Sequence, residues 1–227
     1  QSDDCQADYE RLVKLGVKFK SPPNAITAGV NKGGYAVYFT DPDGITLEEH
    51  LNPVRYYIDL WSDMSPVGTL RLRTPHRVSY PGNWKFQMDN SVDGYHARYV
   101  HQSAMNTYDE FGVTTPMRPD NYRRDPGCTR GFERGHNILE RPGLRADFSP
   151  EQLGEYETAL TDAYGAERAS QILVTRHISI FPNLVLMDAN LRVVQPVSVD
   201  CTLVYSWFTA LDGVTPAVNA VRLRDLQ

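Results

Sequence analysis

Two of the six histidines in this 227-residue chain lie close together, in the stretch NWKFQMDNSVDGYHARYVH of residues 83–101. With Asp93 they form the pattern D-x2-H-x4-H, in which His96 and His101 are the histidines. A neutral imidazole binds a metal ion through one ring nitrogen, and a nearby carboxylate can fix its tautomer by accepting the proton on the other nitrogen. The residue types therefore predict a metal site with two histidine ligands, beside which Asp93 orients one ring.

The spacing of these residues also predicts their local backbone. On an α-helix, Asp93 and His96 lie about 60° apart around the axis and share a face, whereas His96 and His101 lie about 140° and ~7.5 Å apart. The two rings can share one ion only if the helix widens or ends between them. The same spacing also fits two ordinary core or surface histidines, and the spacing alone leaves both interpretations open.

Composition limits the classes of protein that need to be considered. The hydrophobic fraction of 41% and the charged fraction of 22% are typical of a globular protein. The net charge of -5 and the absence of a basic run argue against a nucleic-acid partner. No apolar stretch approaches the ~20 residues that cross a membrane, and the start QSDDCQADYE is too polar for a signal peptide. We expect a cytoplasmic protein without nucleic-acid or membrane partners.

The three cysteines give no metal-binding pattern. Cys5, Cys128 and Cys201 are far apart and form no C-x-x-C or C-x-H pair. We therefore expect neither a disulfide framework nor an iron–sulfur or zinc site in this chain, and we expect three buried thiols.

The first fifty residues predict a helix followed by strands. DDCQADYERLVKLG has helical spacing and ends at a glycine, whereas GGYAVYFT and ITLEEHL have the composition of strands and are joined by the turn sequence DPDG. The character changes at residue 52, where Asn52 and Pro53 suit the start of a helix with Tyr56, Leu60 and Met64 on one stripe. We place a domain boundary there, between residues 1–52 and 53–227.

The remainder predicts an α+β domain. GTLRLRTPHRVSYPG alternates as strands do, and residues 112 to 147 are typical of long irregular loops. Ser149, Pro150 and Gln152 form the start of a helix with a capping box, and AERASQIL predicts a second, short helix. The last third is rich in Val, Ile, Leu and aromatic residues, which indicates antiparallel strands with tight turns.

The N-terminal stretches LGVKFKSPP and GGYAVYFTDPDGITLEE resemble the second half of a βαβββ module of the vicinal-oxygen-chelate superfamily, which includes glyoxalases and extradiol dioxygenases. The resemblance covers about fifty residues. It implies a partial half-module over residues 1–52, in which Glu48 would be a metal ligand. The first strand of the module and its histidine ligand are absent, and a solvated strand residue is the alternative interpretation of Glu48.

A more specific resemblance covers residues 53–227. GNWKFQMDNSVDGYHARYVH, RGHNILE, YGAERASQIL, RHISIFPNLVLMDANLRVVQPVSVD and VNAVRLR resemble, in family order, the catalytic region of the α subunit of Rieske non-haem iron aromatic-ring-hydroxylating dioxygenases, closest to the benzoate/toluate-like group. The resemblance implies a helix-grip domain, in which helices wrap against an antiparallel β-sheet.

The same resemblance assigns roles to the residues of the metal-site pattern. His96 and His101 would bind a mononuclear Fe(II), and Asp93 would relay electrons from the Rieske 2Fe-2S cluster of a neighbouring subunit. Asn90 would lie close to the iron, and Asp89 stands where the family usually has Glu. Two histidines and one carboxylate on one side of an iron leave positions open for O2 beside an apolar substrate.

The resemblance further implies a reaction and partners. An aromatic substrate, O2 and two electrons from NADH would give a cis-dihydrodiol, with a β subunit, an NADH-dependent reductase and further α subunits as partners. Candidate pocket residues on the later strands, for which plain core is the alternative, are Phe181, Leu184, Leu186 and Phe208.

Two departures from the family favour competing interpretations. The third iron ligand of the family, an Asp, comes from a segment beyond Gln227, and the ligands of the 2Fe-2S cluster have no counterpart in this chain. We therefore expect the chain by itself to bind Fe(II) weakly and to turn over no aromatic substrate. One alternative is a non-catalytic remnant or fusion product that keeps a pocket and a weak two-histidine site. Another places the function in residues 1–52, through Glu48 and a partner chain.

Overall fold

The structure is a computed structural model and describes residues 4–19, 21–27, 33–36, 39–40, 44–112, 127–141 and 148–224. The chain divides into two compact units, residues 1–52 and residues 53–227. The division coincides with the change of sequence character at residue 52.

The first unit contains two helices and two pairs of very short strands. Helix α1 (Cys5–Lys14) begins where the side chain of Asp4 accepts a hydrogen bond from the Ala7 N–H, as the acidic start predicts. Strand β1 (Lys18–Phe19) pairs with β4 (Phe39–Thr40), and β2 (Asn24–Ala25) pairs with β3 (Tyr35–Ala36), both antiparallel.

The prediction of a strand at ITLEEHL is wrong, because residues Leu47–Leu51 form helix α2. Thr46 accepts a hydrogen bond from the Glu49 N–H at 3.1 Å, and Glu49 in return accepts one from the Thr46 N–H at 2.7 Å. This reciprocal capping box closes a helical turn. Glu48 therefore lies exposed on the first turn of a helix, and residues 41–43 of the predicted DPDG turn lie outside the described residues.

The second unit contains an eight-stranded antiparallel sheet. Its strands follow the order β5-β12-β11-β10-β9-β8-β7, and β6 pairs with β12 beside β5. The strands are β5 (Leu70–Leu72), β6 (His76–Tyr80), β7 (Cys128–Gly131), β8 (Asn137–Arg141), β9 (Thr175–Ile180), β10 (Leu184–Leu186), β11 (Asn190–Ser198) and β12 (Cys201–Leu211).

The described residues of the second unit also form helices before, between and after the strands of this sheet. They are α3 (Arg55–Ser62), α4 (Trp84–Val92), α5 (Ala97–Val100), α6 (Gln102–Glu110), α7 (Pro150–Tyr164), α8 (Ala166–Ile172) and α9 (Pro216–Arg224). Ser149 and Gln152 form the predicted capping box of α7, and α8 lies where AERASQIL predicts it. An antiparallel sheet with flanking helices confirms the predicted α+β class of this unit.

The register of the strands defines two faces of the sheet. Thr129, Asn137, His177 and Ser179 project from one face, which we call the α4 face because the His177 ring contacts the backbone of that helix. The opposite face carries Arg130, whose guanidinium donates a hydrogen bond to the Tyr57 hydroxyl of α3. We call it the α3 face. The buried residues on it include Ile138, Ile178, Ile180 and Leu186.

The start of α3 differs from the prediction. Residues Asn52–Val54 form a 3-10 turn, and the α-helix begins at Arg55, so Asn52 ends α2 and does not cap α3. The buried stripe is correspondingly Tyr57, Leu60 and Met64, whereas Tyr56 is 47% exposed. Positions 57, 60 and 64 share one helical face by the i, i+3, i+7 spacing just as positions 56, 60 and 64 do by i, i+4, i+8, so the period alone does not choose between Tyr56 and Tyr57.

Two further predictions are wrong. Residues 112 to 147 are not all loop, because β7 and β8 form a hairpin within them, and the buried Ile138 and Leu139 place β8 inside the sheet. The cysteines are not buried thiols, since Cys128 is exposed and Cys5 and Cys201 are half-buried.

Among the described residues, every helix is too short or too polar to span a lipid bilayer.

Candidate metal centre

Helix α4 ends immediately before the predicted metal site. Its last residue is Val92, and Asp93 has an extended backbone with φ −80° and ψ 141°. The carboxylate of Asp93 then caps the next turn, because its Oδ1 accepts hydrogen bonds from the N–H groups of Tyr95 at 3.1 Å and His96 at 2.9 Å. The sequence Asp-Gly-Tyr-His thus ends one helix and starts the next turn.

The same oxygen holds the imidazole of His96. Asp93 Oδ1 lies 2.6 Å from His96 Nδ1, and both side chains are largely shielded from solvent. Burial pushes the pKa of the Asp93 carboxyl upward, but the hydrogen bonds from the His96 backbone and ring and from the Tyr95 backbone outweigh it and leave the pKa below its usual value. A carboxylate at this position accepts the Nδ1 proton and leaves the Nε2 lone pair of His96 available to a metal ion.

The chain breaks its helical path at the second histidine. Helix α5 ends at Val100 and α6 begins at Gln102, so His101 is the junction, with φ −97° and ψ 14°. The rings of His96 and His101 are 5.3 Å apart between centroids and inclined at 69°. The helix is thus interrupted at His101, where the five-residue spacing of the two histidines predicts that a regular helix cannot continue.

The separation of the two rings fits a shared ion. With metal–nitrogen distances of about 2.1 Å, each ring centroid lies about 3.2 Å from the ion, and two ligands at about 100° have centroids about 5 Å apart. The observed 5.3 Å agrees with this geometry. Among the residues that the structure describes, no third His, Cys, Asp or Glu completes a cluster with them.

Two side chains of the sheet that the sequence did not single out hold the end of α4. The Nδ1 atom of His177 lies 2.9 Å from the Ser91 carbonyl oxygen, and the Thr129 hydroxyl donates to the Val92 carbonyl oxygen at 2.9 Å. His177 lies within RHISIFPNLVLM, where a histidine that alternates with isoleucines along a strand-like stretch was the available signal. Thr129 gives no comparable signal.

A cavity of about 480 Å³ lies between α4 and the ends of β7, β8 and β9. Asp93 and Phe181 line this cavity with Met88, Val92 and other residues, whereas His96, His101 and Asn90 are not among the described lining residues. The cavity therefore borders the carboxylate that holds His96, and Asn90 is exposed on α4.

The other predicted pocket residues lie elsewhere. Leu184 pairs with Ile180 and Leu186 pairs with Ile178, which places both leucines on the α3 face, away from this cavity. Phe208 lies on the α4 face but on β12, where its ring contacts His76 at 5.0 Å between centroids. Of the four candidates, Phe181 alone lines the described cavity.

His177 gives the molecule a specific dependence on pH. Burial lowers the pKa of its imidazole, so the unfolded chain gains a proton near the ordinary pKa of about 6.5 while the folded chain does not. The contribution of neutral His177 to the free energy of unfolding is therefore complete above that pH. It falls by up to about 1.4 kcal/mol per pH unit as the pH drops toward the pKa of the folded state.

We expect the free energy of unfolding, measured with urea at about pH 7.5 and about pH 5.5, to decrease less in His177→Asn than in the unsubstituted chain. Asn can donate to the Ser91 carbonyl but does not titrate. Equal decreases in both proteins would contradict this account.

Comparison with known proteins identifies a family. Residues 67–221 match the model of the ring hydroxylating α subunit, catalytic domain. The chain is 34% identical over 196 residues to the α subunit of toluate 1,2-dioxygenase from Pseudomonas putida, covering 82% of this chain and 42% of that protein. It is 31% identical over 215 residues to the large subunit of 2-halobenzoate 1,2-dioxygenase from Burkholderia cepacia, covering 89% and 45%.

Solved structures show the same fold. A naphthalene 1,2-dioxygenase with indole bound in its active site matches with a TM-score of 0.63 at 19% identity, over 89% of this chain and 46% of that chain. Naphthalene 1,2-dioxygenase from Rhodococcus sp. matches with a TM-score of 0.57 at 23% identity, over 88% and 48%. The chain spans less than half the length of the curated relatives that it matches here.

Proposed function

Because this chain belongs to the family of ring-hydroxylating dioxygenase α subunits, we propose that it is the catalytic region of an aromatic-ring dioxygenase and holds Fe(II) through His96 and His101. The observation that carries the proposal is the pair of rings 5.3 Å apart, one of them oriented by Asp93 at 2.6 Å. The family model covers this segment.

The two imidazole nitrogens of His96 and His101 are suitable ligands for a mononuclear Fe(II) ion. Two neutral imidazoles leave several coordination positions for a carboxylate, O2 and water, as in the facial arrangement of two histidines and one carboxylate. When bound, Fe(II) would supply the means to reduce O2 beside a substrate. The residues of this chain hold the ligand nitrogens, and Asp93 keeps the Nδ1 proton of His96 so that Nε2 faces the ion.

The overall reaction requires electrons from outside this region. An aromatic C=C bond, O2, two electrons and two protons give a cis-dihydrodiol: the O–O bond breaks and two C–O bonds form. NADH would supply the electrons through a reductase and a 2Fe-2S cluster, for which the cysteines of this chain form no ligand pattern. Asp93, between the metal site and the cavity at the sheet edge, is the proposed relay.

The names of three relatives support a proposal for the substrate class. Toluate, 2-halobenzoate and anthranilate appear in the names of three relatives. All three compounds are aromatic carboxylates, so we propose a benzoate-type substrate. A further α subunit and a β subunit are the proposed partners; the names "subunit alpha" and "large subunit" of two relatives indicate only that those proteins have more than one kind of subunit.

A graft tests the proposed function. Residues 67–221 of this chain replace the aligned residues of the toluate dioxygenase α subunit, which is then expressed with its own partners and assayed with toluate and benzoate. We expect a cis-diol from the graft and none from the same graft with His96→Ala. A graft that folds and holds iron but forms no diol would contradict the proposal.

One observation favours a second candidate, a non-catalytic remnant that keeps a weak two-histidine metal site. Among the described residues, no group of three His, Cys, Asp or Glu side chains that could hold a metal ion includes His96 and His101. The graft supplies a third ligand and a 2Fe-2S cluster, so product from the graft supports the catalytic region, whereas metal binding without product supports a remnant in which residues 67–221 themselves no longer support catalysis.

The N-terminal unit requires a separate proposal. We propose that residues 1–52 derive from a vicinal-oxygen-chelate-type half-module, supported by the two short antiparallel strand pairs and their sequence. The exposed, helical position of Glu48 gives no support to a strand-borne metal ligand there.

A further inference from the structure

We infer that His177 and Thr129 form a two-point anchor for the end of α4, and that this anchor positions Asp93 and His96 at the metal centre. The inference rests on the proposed function, because it takes His96 and His101 as the metal ligands. Neither His177 nor Thr129 needs to touch the ion, so both would be positioning residues.

The last carbonyl groups of α4 are bound by side chains of the sheet. An α-helix leaves its last carbonyl groups without partners of its own, and these groups need other donors. At α4, two consecutive carbonyls receive donors from the sheet: Ser91 from His177 Nδ1 at 2.9 Å and Val92 from the Thr129 hydroxyl at 2.9 Å. Because His177 is on β9 and Thr129 on β7, with β8 between them, the two bonds fix the helix end at two separate points.

A short series of hydrogen bonds connects the end of α4 to the ring of His96. Val92 directly precedes Asp93, and the Asp93 N–H still bonds to the Asp89 carbonyl at 3.0 Å. The Asp93 carboxylate is also held in place, because its Oδ1 accepts hydrogen bonds from the Tyr95 N–H, the His96 N–H and His96 Nδ1. With these bonds made, a shift of the helix end displaces the His96 ring.

The anchor bond of His177 requires a donor at one particular ring nitrogen. The Ser91 carbonyl can only accept, so His177 must carry its proton on Nδ1. Asn places an amide N–H close to the position of Nδ1, whereas Gln places it near that of Nε2. His177→Asn therefore preserves the anchor, and His177→Gln and His177→Leu remove it.

The two anchor bonds differ in their surroundings. Thr129 lies on the exposed edge strand β7, where water can replace its hydroxyl at the Val92 carbonyl. His177 lies beneath α4, where burial lowers the pKa of its ring. We therefore expect the loss of His177 to disturb the centre more than the loss of the Thr129 hydroxyl.

The experiment measures Co(II) binding to the purified chain, by anaerobic titration of the visible ligand-field bands. Orientation of a metal-binding histidine by neighbouring groups contributes about 10- to 100-fold to affinity. We expect His177→Leu to lower Co(II) affinity about 10-fold or more and to shift the bands, Thr129→Val to lower it about 3-fold, and His177→Asn to stay within about 3-fold of the unsubstituted chain.

Thr202→Val is the matched control. The Thr202 hydroxyl donates to the Gly82 carbonyl at 2.7 Å, which is the same kind of bond but lies just before the start of α4. We expect Thr202→Val to lower the melting temperature while the Co(II) affinity and spectrum stay unchanged. If His177→Leu is destabilised but binds Co(II) with the affinity and spectrum of the unsubstituted chain, the role is purely structural and the inference is overturned.

Two further comparisons keep the inference separable from the proposed function. If His177→Leu does not fold, equal Co(II) affinities of His177→Asn and His177→Gln overturn the anchor. If the unsubstituted chain binds no Co(II), the proposed metal site is wrong. Hydrogen exchange of the Tyr95 and His96 amides in the metal-free chain then tests whether His177 holds the end of α4. Faster exchange in His177→Gln than in His177→Asn supports it, and equal exchange overturns it.

Discussion

His96→Ala and His101→Ala are each expected to reduce the affinity for Fe(II) by about 100-fold or more, beyond the range that groups outside the ligand set contribute. Each substitution leaves one of two adjoining imidazoles, and among the described residues no group of three potential ligands that could hold a metal ion includes them. A single neutral imidazole competes poorly with water for Fe(II). Anaerobic titration calorimetry of the folded proteins measures the effect.

His76→Ala serves as the matched control, because His76 is an exposed histidine on β6 that contacts the ring of Phe208. We expect this variant to bind Fe(II) with the affinity of the unsubstituted chain. Equal losses in all three variants would show nonspecific binding to histidines. Retention of affinity in either His96→Ala or His101→Ala would remove that histidine from the ligand set.

The parts of the site that depend on neighbouring residues could be predicted from the sequence. Asp93 and His96 are three residues apart and their contact is local, although it forms because an extended Asp93 caps the next turn and not because the two share a helical face. The break at His101 could be predicted because two rings five residues apart on a regular helix point too far apart to share one ion. The capping box of α7 is equally local. The capping box of α2 was equally readable in T-x-x-E, but the β-branched residues beside it favoured a strand.

The parts that depend on strand register could not be predicted. The period of two places Leu184 and Leu186 on one face, but only their pairing with Ile180 and Ile178 shows which face it is. The same holds for His177, whose partner Ser91 is 86 residues away in the chain. Sequence spacing gives the candidate ligands, whereas the sheet decides what holds them in place.

Asp93→Asn is expected to separate iron binding from turnover. The amide oxygen of Asn can still accept the proton of His96 Nδ1, so we expect Fe(II) affinity to fall by about 10-fold at most, which is far less than for His96→Ala. Asn carries no charge, so it stabilises neither a partial positive charge on the imidazole nor proton movement that accompanies electron transfer. We therefore expect product formation by the toluate dioxygenase graft to fall by about 100-fold or more, an effect of over 2.7 kcal/mol on the barrier.

The measurements for Asp93→Asn are iron content, Fe(II) affinity and the rate of cis-diol formation in the same preparation. Asp93→Ala is the companion variant, since it removes both the charge and the acceptor for His96 Nδ1 and should lose affinity as well as turnover. An Asp93→Asn protein that loses iron as completely as His96→Ala would make Asp93 a direct ligand. Full turnover with normal iron content would show instead that electrons reach the metal centre without Asp93.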